Sequence, residues 1–181
     1  MKKDSDLKWS DLKKSLQKSD TEGLINIIQK LYRYSEDNRR YLLARCIDRE
    51  EAAGVMEEYR DIIKNEFFPK RGYGELRYSV AEKAINDYSE ASGDFAGTME
   101  LMFFYVENGV EFTSKYGDID EEFYLKIYGM LEKFCTQLKT PEGNHFMPIS
   151  GKGFLRAAGK QEEWDVGFGE AIGCVLNENA D

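Results

Sequence analysis

The chain has 181 residues, of which 41% are hydrophobic and 33% are charged, and its formal net charge is -9 at pH 7. This length fits a single domain with a substantial apolar core. The acidic balance argues against nucleic-acid binding, which requires a basic surface. The longest apolar run, LMFFYV at 101–106, is too short to span a bilayer, and no apolar signal region follows the N-terminal lysines, so neither membrane insertion nor secretion is expected.

The cysteines indicate the compartment. Cys46, Cys135 and Cys174 are odd in number, widely spaced and set within helix-patterned sequence. This usage is typical of buried thiols in a reducing environment and not of a disulfide framework, so we expect a cytoplasmic protein.

Apolar residues recur at helical spacing along most of the chain, and no segment shows the alternation of a strand. Ser19 and Glu22 have the spacing of a capping box, which predicts a helix start. The apolar stripe behind it is Leu24, Ile27, Ile28 and Leu31. A short helix is predicted around residues 37–46, and Asp48 is expected to cap a longer one that ends near Phe67.

Further helices are predicted over residues 76–88, over 95–116, and from Asp118 or Asp120 to 138. Beyond the loop that contains Pro141 the pattern weakens, and a last helix is expected over about 164–176. The sequence therefore predicts an all-α fold, either a compact multi-helix bundle or a short array of antiparallel helical hairpins. Residues 1–140 form its helical core domain, and residues 141–181 form a loop plus a C-terminal helix packed on the same domain.

A basic turn, FFPKRGYGELR at 67–77, interrupts this acidic chain. It suggests a site for a small anionic ligand or a phosphoester, because basic side chains, flexible glycines and a following helix start can together bind an anion. The candidate residues are Lys70, Arg71, Gly72, Gly74 and Arg77. The alternative is a plain corner between two helices, since Pro69 ends one helix and Glu75 would already complement the dipole of the next.

An acidic stripe follows one edge of the long helix over 95–116. At about 100° per residue Glu100, Glu107 and Glu111 fall in one sector, with Phe104 close beside them. This edge is either ordinary solvated surface or the lining of a groove that binds a basic or amphipathic partner segment. Gly109 falls on the opposite side, where it is expected to let another helix approach closely.

Recognisable catalytic, cofactor and metal motifs are absent from the sequence. It has no Walker loop, dinucleotide fingerprint, Gly-x-Ser-x-Gly elbow or Cys-x-x-Cys pair, and its single histidine, His145, is distant from the acidic stripe. Residues 116–123, YGDIDEEF, lack the pattern of a calcium loop and fit a capped helix start. We therefore predict no catalytic residue, no cofactor and no metal, while enzymatic activity stays open.

Two blocks carry a resemblance to a known family. NEFFPKRGYGELRYSVAEKAI at 65–85 and MFFYVENGVEFTSKYGDIDEEFY at 102–124 resemble the central core of a bacterial family of uncharacterised, all-helical proteins of similar length. The N-terminal helices match only in type, and the sequence after about Thr140 departs from the family. The resemblance implies a helical fold and a cytoplasmic location, but it assigns no catalytic residue.

Two functions remain open from the sequence. The first is a non-enzymatic helical interaction module that binds a protein partner through the acidic and aromatic face of Glu100, Phe104, Glu107 and Glu111. The alternative is an anionic-ligand or phosphoester-binding protein that uses the turn at Lys70, Arg71 and Gly72. A less specific idea is that the acidic surface mimics nucleic acid, and the sequence leaves the oligomeric state undetermined.

Overall fold

Seven helices make up the described part of the chain, which in this computed structural model comprises residues 8–48, 51 and 53–143. They are α1 (Trp9–Leu16), α2 (Thr21–Tyr34), α3 (Glu36–Cys46), α4 (Ala53–Phe67), α5 (Tyr78–Ser92), α6 (Phe95–Tyr116) and α7 (Glu121–Leu138). No strand occurs among these residues, so the all-α prediction is confirmed.

Side-chain oxygens cap four of the helices at their N-termini. Asp20, Ser35, Asp94 and Asp120 each accept a hydrogen bond from a backbone N–H in the first turn of α2, α3, α6 and α7. These bonds satisfy amides that a helix leaves unpaired at its start. The prediction that Ser19 caps α2 is wrong by one residue, while Asp120 confirms one of the two starts predicted for α7.

Helix α6 lies at the centre of the core. Ten of its 22 residues are buried, and it packs against α4, α5 and α7. Helices α4 and α5 also pack on each other, and α3 lies against both. The largest fully buried side chains come from α4 to α7: Ile63, Phe67, Ile85, Met99, Leu101, Tyr105, Phe112, Phe123, Ile127, Leu131 and Phe134.

The close contact between α6 and α7 depends on Gly109. A Cβ at this position would lie 2.4 Å from Ile127 Cδ1 and 2.8 Å from Ile127 Cγ1. These separations are shorter than van der Waals contact, so a larger residue would fit only if the Ile127 side chain or α7 itself moved away. The prediction that Gly109 permits close helix approach is confirmed.

The two N-terminal helices lie at the edge of this core. None of the residues of α1 or α2 is buried, and the main neighbour of α2 is α3. In α3, Ala44 is the only buried residue. Residues 8–34, which contain α1 and α2, are called the N-terminal arm below.

Two of the three cysteines lie in the described residues, and both are free thiols. Cys46 is exposed and Cys135 is half-buried, so the expectation of buried thiols is wrong for Cys46.

No helix among the described residues is long and apolar enough to cross a bilayer. Cys174, His145 and the predicted C-terminal helix lie outside the described residues.

Candidate functional site

Within the basic turn, Arg77 is already bound to a carboxylate of the protein. Its Nε and Nη2 donate to Glu66 Oε2 and Oε1 at 3.0 and 2.9 Å, and its backbone N–H donates to Glu66 Oε2 at 3.2 Å. Glu66 is 4% exposed, and Glu75 adds a second ion pair to Arg77 at 3.2 Å. The charge of Arg77 is therefore matched by these two carboxylates before any ligand arrives.

Backbone carbonyls of α4 lie close to Gly74 of the turn. A Cβ on Gly74 would lie 2.4 Å from the carbonyl oxygen of Phe67 and 2.5 Å from that of Glu66. These oxygens belong to the C-terminal end of α4, where the helix dipole is negative and repels anions. Helix α5 begins at Tyr78, so the expectation that Glu75 stands at a helix start is wrong.

Lys70, Arg71 and Gly72 are exposed, and neither Lys70 nor Arg71 forms an ion pair with any described residue. The aromatic residues of the turn instead fix it to the end of α6. Tyr73 lies 5.2 Å from Phe112 and 4.8 Å from Tyr116, measured between ring centroids. The turn is thus a packed corner between α4 and α5, with two solvated basic side chains on its outside.

Arg60 of α4 covers one end of the acidic stripe. Its Nη2 lies 3.5 Å from Glu100 Oε2, and its guanidinium carbon lies 5.0 Å from the centre of the Phe104 ring. Glu100 is only 15% exposed. Glu100 and Phe104 therefore belong to the interface between α4 and α6, where the protein itself supplies the cation that the sequence assigned to a partner.

The remaining stripe residues differ in exposure. Glu107 is half-buried, and burial raises its pKa, an effect that Glu111 reinforces and Arg60 opposes. Glu111 is exposed. Phe112, which contacts the basic turn, lies twelve positions after Glu100, or about 18 Å along α6. The Arg60–Glu100 pair and the basic turn therefore lie toward opposite ends of the helix.

Several cavities lie between the helices of the described part of the chain, and two of them contain ion pairs. One, of about 550 Å³, is lined by α3, α4 and α5, and its charged residues are Asp37, Arg40, Lys83, Asp87 and Glu90. Within it Arg40 pairs with Asp37 at 2.6 Å, and Lys83 pairs with Asp87. The other, of about 680 Å³, contains the Arg60–Glu100 pair. In each cavity an arginine is already paired with a carboxylate of the protein, which reduces the charge that either cavity could offer to a ligand.

Metal chemistry also finds no support in the part of the chain that the structure describes. No group of three or more His, Cys, Asp or Glu side chains there is arranged to hold a metal ion.

The widest exposed apolar surface lies on the N-terminal arm. At about 100° per residue one half of the α2 surface contains its seven large apolar residues together with Thr21, and the other half contains no large apolar residue. Ile28 is 46% exposed, and Trp9 of α1 is 68% exposed. The apolar half of α2, called the arm face below, comprises Leu24, Ile25, Ile27, Ile28, Leu31, Tyr32 and Tyr34.

Specific contacts hold the arm in place on the core. Ser35 joins α2 to α3 in an extended conformation, and Asn38 Nδ2 donates to the carbonyl of Leu31 at 3.0 Å. Helix α3 is in turn tied to α4, because Arg39 and Arg40 both pair with Glu58. The arm face is therefore a surface on an anchored helix.

The arm differs from the remainder of the chain in charge. Residues 8–34 contain six basic and three acidic side chains, a net charge of +3. Residues 35–181 contain 17 basic and 29 acidic side chains, a net charge of -12. The arm thus combines an apolar face with a net positive charge.

Sequence reasoning identified the apolar stripe of α2, at Leu24, Ile27, Ile28 and Leu31, without predicting whether it is buried or exposed. The width of the stripe was the available signal, because a helix at the edge of a core needs a narrower apolar sector than seven residues over half its circumference. Exposure itself could not be read from the pattern, since exposed and buried apolar stripes have the same spacing.

No protein-family model matches the chain, and comparisons with the curated proteins and with the solved structures return no match either. The family resemblance of residues 65–85 and 102–124 stays a prediction.

Proposed function

We propose that the protein is a non-enzymatic interaction module whose arm face binds an amphipathic helix of a protein partner. The observation that carries this proposal is the absence of any buried residue in α2, a helix with seven apolar side chains on one half of its surface. Apolar patches of this kind on soluble domains mark interaction sites. Recognition of an amphipathic helix by an apolar surface is a recurrent mode of peptide binding.

The net positive charge of the arm favours a partner segment that is acidic. The basic side chains of the arm include Lys13, Lys14, Lys30 and Arg33. An amphipathic segment with acidic flanks would be attracted to the arm by this charge, whereas a basic segment would be repelled. The proposal therefore differs from the sequence-based hypothesis in the face that binds and in the sign of the partner.

A basic amphipathic helix with an exposed Trp is also the pattern of a helix that lies on a membrane surface. The charge of the remaining chain favours a protein partner, because residues 35–181 carry -12 and anionic lipid headgroups would repel them. The experiment therefore includes lipid vesicles, which distinguish membrane binding from binding of a protein partner.

The test uses a synthetic helical peptide with leucine at i, i+3, i+4 and i+7 and glutamate on its other face. Fluorescence anisotropy measures its affinity for the full chain and for Ile28→Asp. The matched control is Leu125→Asp, which places the same charge on an apolar residue of α7 that is 63% exposed and outside the arm. We expect Ile28→Asp to weaken binding at least about tenfold and Leu125→Asp to leave it unchanged.

A second peptide carries lysine in place of every glutamate, and vesicles of phosphatidylcholine and phosphatidylserine form a third probe. Weaker binding of the lysine peptide, and a decline of glutamate-peptide affinity with salt, support the proposal. Equal binding of both peptides, or equal binding by the wild-type chain and Ile28→Asp, contradicts it. Vesicle binding that requires Ile28, without binding of the glutamate peptide, would replace it by a membrane function.

A further inference from the structure

We infer that the C-terminal segment, residues 161–181, docks in cis on the arm face and competes there with external partners. The inference rests on the proposed function, because competition matters only where the arm face binds a partner. This segment lies outside the described residues, and its amino-acid sequence carries the features that the arm face requires.

Its apolar residues repeat at the spacing of one helix face. They are Trp164, Phe168, Ile172, Val175 and Leu176, at successive intervals of four, four, three and one residues. Five large apolar side chains on one face would cover the exposed Ile and Leu side chains of α2 in the same way as an external helix.

Charge complementarity supports this pairing. Residues 161–181 contain six acidic side chains and no basic one, whereas residues 8–34 carry a net charge of +3. The described residues that follow the arm, 35–48, 51 and 53–143, contain 22 acidic and 13 basic side chains and would repel an acidic segment. Among the described residues the arm therefore has the net charge that attracts the segment, while residues 144–160, outside them, also contain three basic and no acidic side chains.

The segment can reach the arm. Twenty residues separate Gly143, the last described residue, from Trp164. Fully extended, they span at most about 68 Å, while a domain of this size is about 35–40 Å across. Tethering at this length gives an effective concentration in the millimolar range, so even a weak contact would be occupied in cis.

A second copy of the chain is a poorer occupant of the arm face. Direct pairing of two arms would bring together two surfaces with a net charge of +3 each, and like charges oppose such an interface. Exchange of C-terminal segments between two copies would satisfy both charge and apolarity, so the experiment has to distinguish exchange from docking in cis.

Carbodiimide cross-linking of the full chain tests the contact, because it joins a lysine amine to a carboxylate without a spacer. An equal mixture of isotopically light and heavy protein, at low concentration, separates cis links from links between copies. The internal standard is the pair Lys126–Glu82, which connects α7 and α5 at 4.0 Å. We expect links between arm lysines and residues 162–170 that are purely light or purely heavy.

Mixed light and heavy links between arm and C-terminal segment would overturn docking in cis in favour of exchange between copies. Formation of the Lys126–Glu82 link without any arm link would overturn the contact altogether. Phe168→Asp combined with Ile172→Asp should remove the arm links and leave the standard, and Glu162→Lys combined with Glu163→Lys provides an independent variant.

Binding of the glutamate peptide separates this inference from the proposed function. We expect the Phe168→Asp/Ile172→Asp chain to bind the peptide about tenfold more tightly than the wild-type chain, because the competing segment has lost its apolar contacts. Equal affinity of both chains would refute competition and leave the proposed function standing. Failure of the peptide to bind either chain would refute the proposed function itself.

Discussion

The buried carboxylate of Glu66 holds Arg77 through two side-chain hydrogen bonds and one backbone hydrogen bond, and so joins the end of α4 to the start of α5. We expect Glu66→Ala to lower the free energy of unfolding by about 2 kcal/mol, because hydrogen bonds to a charged group are lost and the Arg77 amide loses its acceptor. Urea denaturation measures the change.

The control for this prediction is Glu75→Ala, which removes the exposed carboxylate that also pairs with Arg77. Its effect should stay within about 0.5 kcal/mol, as is usual for surface pairs. Equal destabilisation by the two variants would show that the burial of Glu66 has no role in holding the corner.

Two glycines inside helices offer a matched comparison. Gly109→Ala would place its Cβ against Ile127, whereas Gly129→Ala meets no other atom within 4 Å. Alanine favours a helix by about 1 kcal/mol over glycine, so Gly129→Ala should stabilise the protein. Gly109→Ala should instead destabilise it by about 1–3 kcal/mol through overpacking.

Rescue of Gly109→Ala tests the cause. Ile127→Val removes the Cδ1 atom closest to the new Cβ, so the double variant should be more stable than the sum of the two single effects. Thermal unfolding of the four proteins completes the cycle. Strictly additive effects would mean that the cost of Gly109→Ala arises elsewhere.

Much of the fold could be predicted because helix ends depend on local chemistry. The predicted helix over 95–116 agrees with α6 at both ends, since Asp94 caps it and Gly117, with a φ of 83°, terminates it. Local rules also explain why Asp20 caps α2 where Ser19 was predicted. Serine and aspartate are both favoured at the N-cap, so two such neighbours are alternative caps for the same helix.

The candidate site was harder to predict because it depends on contacts between helices. Glu66 lies eleven residues before Arg77, and Arg60 lies forty residues before Glu100, so nothing local indicates that either pair forms. Because these two pairs form, Arg77 of the basic turn and Glu100 of the acidic stripe are each bound to a side chain of the protein itself. For the arm face, the apolar pattern can be seen in the sequence. Its exposure cannot, because exposure depends on whether another helix packs against α2.

Changes on the arm face should leave the core intact. We expect Ile28→Asp to alter the free energy of unfolding by less than about 1 kcal/mol, because Ile28 is already half-exposed to water. The comparison is Ile63→Asp, which places a charge at a fully buried position of α4 and should prevent folding. Circular dichroism and urea denaturation measure both, and a large loss of stability in Ile28→Asp would show that this side chain is part of the core.

The half-buried Glu107 should give the protein a distinctive pH dependence. Burial raises its pKa in the folded state, so the folded protein binds the proton more tightly than the unfolded chain does. The stability that this preference contributes is present below the pKa of the unfolded chain and is lost as the pH rises through the folded pKa. Glu107→Gln, which retains the neutral form, should therefore raise the melting temperature at pH 7 and lose this advantage as the pH falls below the ordinary pKa of a glutamate.

The matched control is Glu132→Gln, an exposed position on α7, where the same substitution should shift the melting temperature little at any pH. Melting curves of the three proteins between about pH 4 and pH 8 provide the measurement. The partners of Glu107 make the outcome informative, because Arg60 favours its charged form while burial and Glu111 oppose it. An advantage of Glu107→Gln that grows toward low pH would mean that Arg60 prevails and that the acidic stripe is held in its charged form by α4.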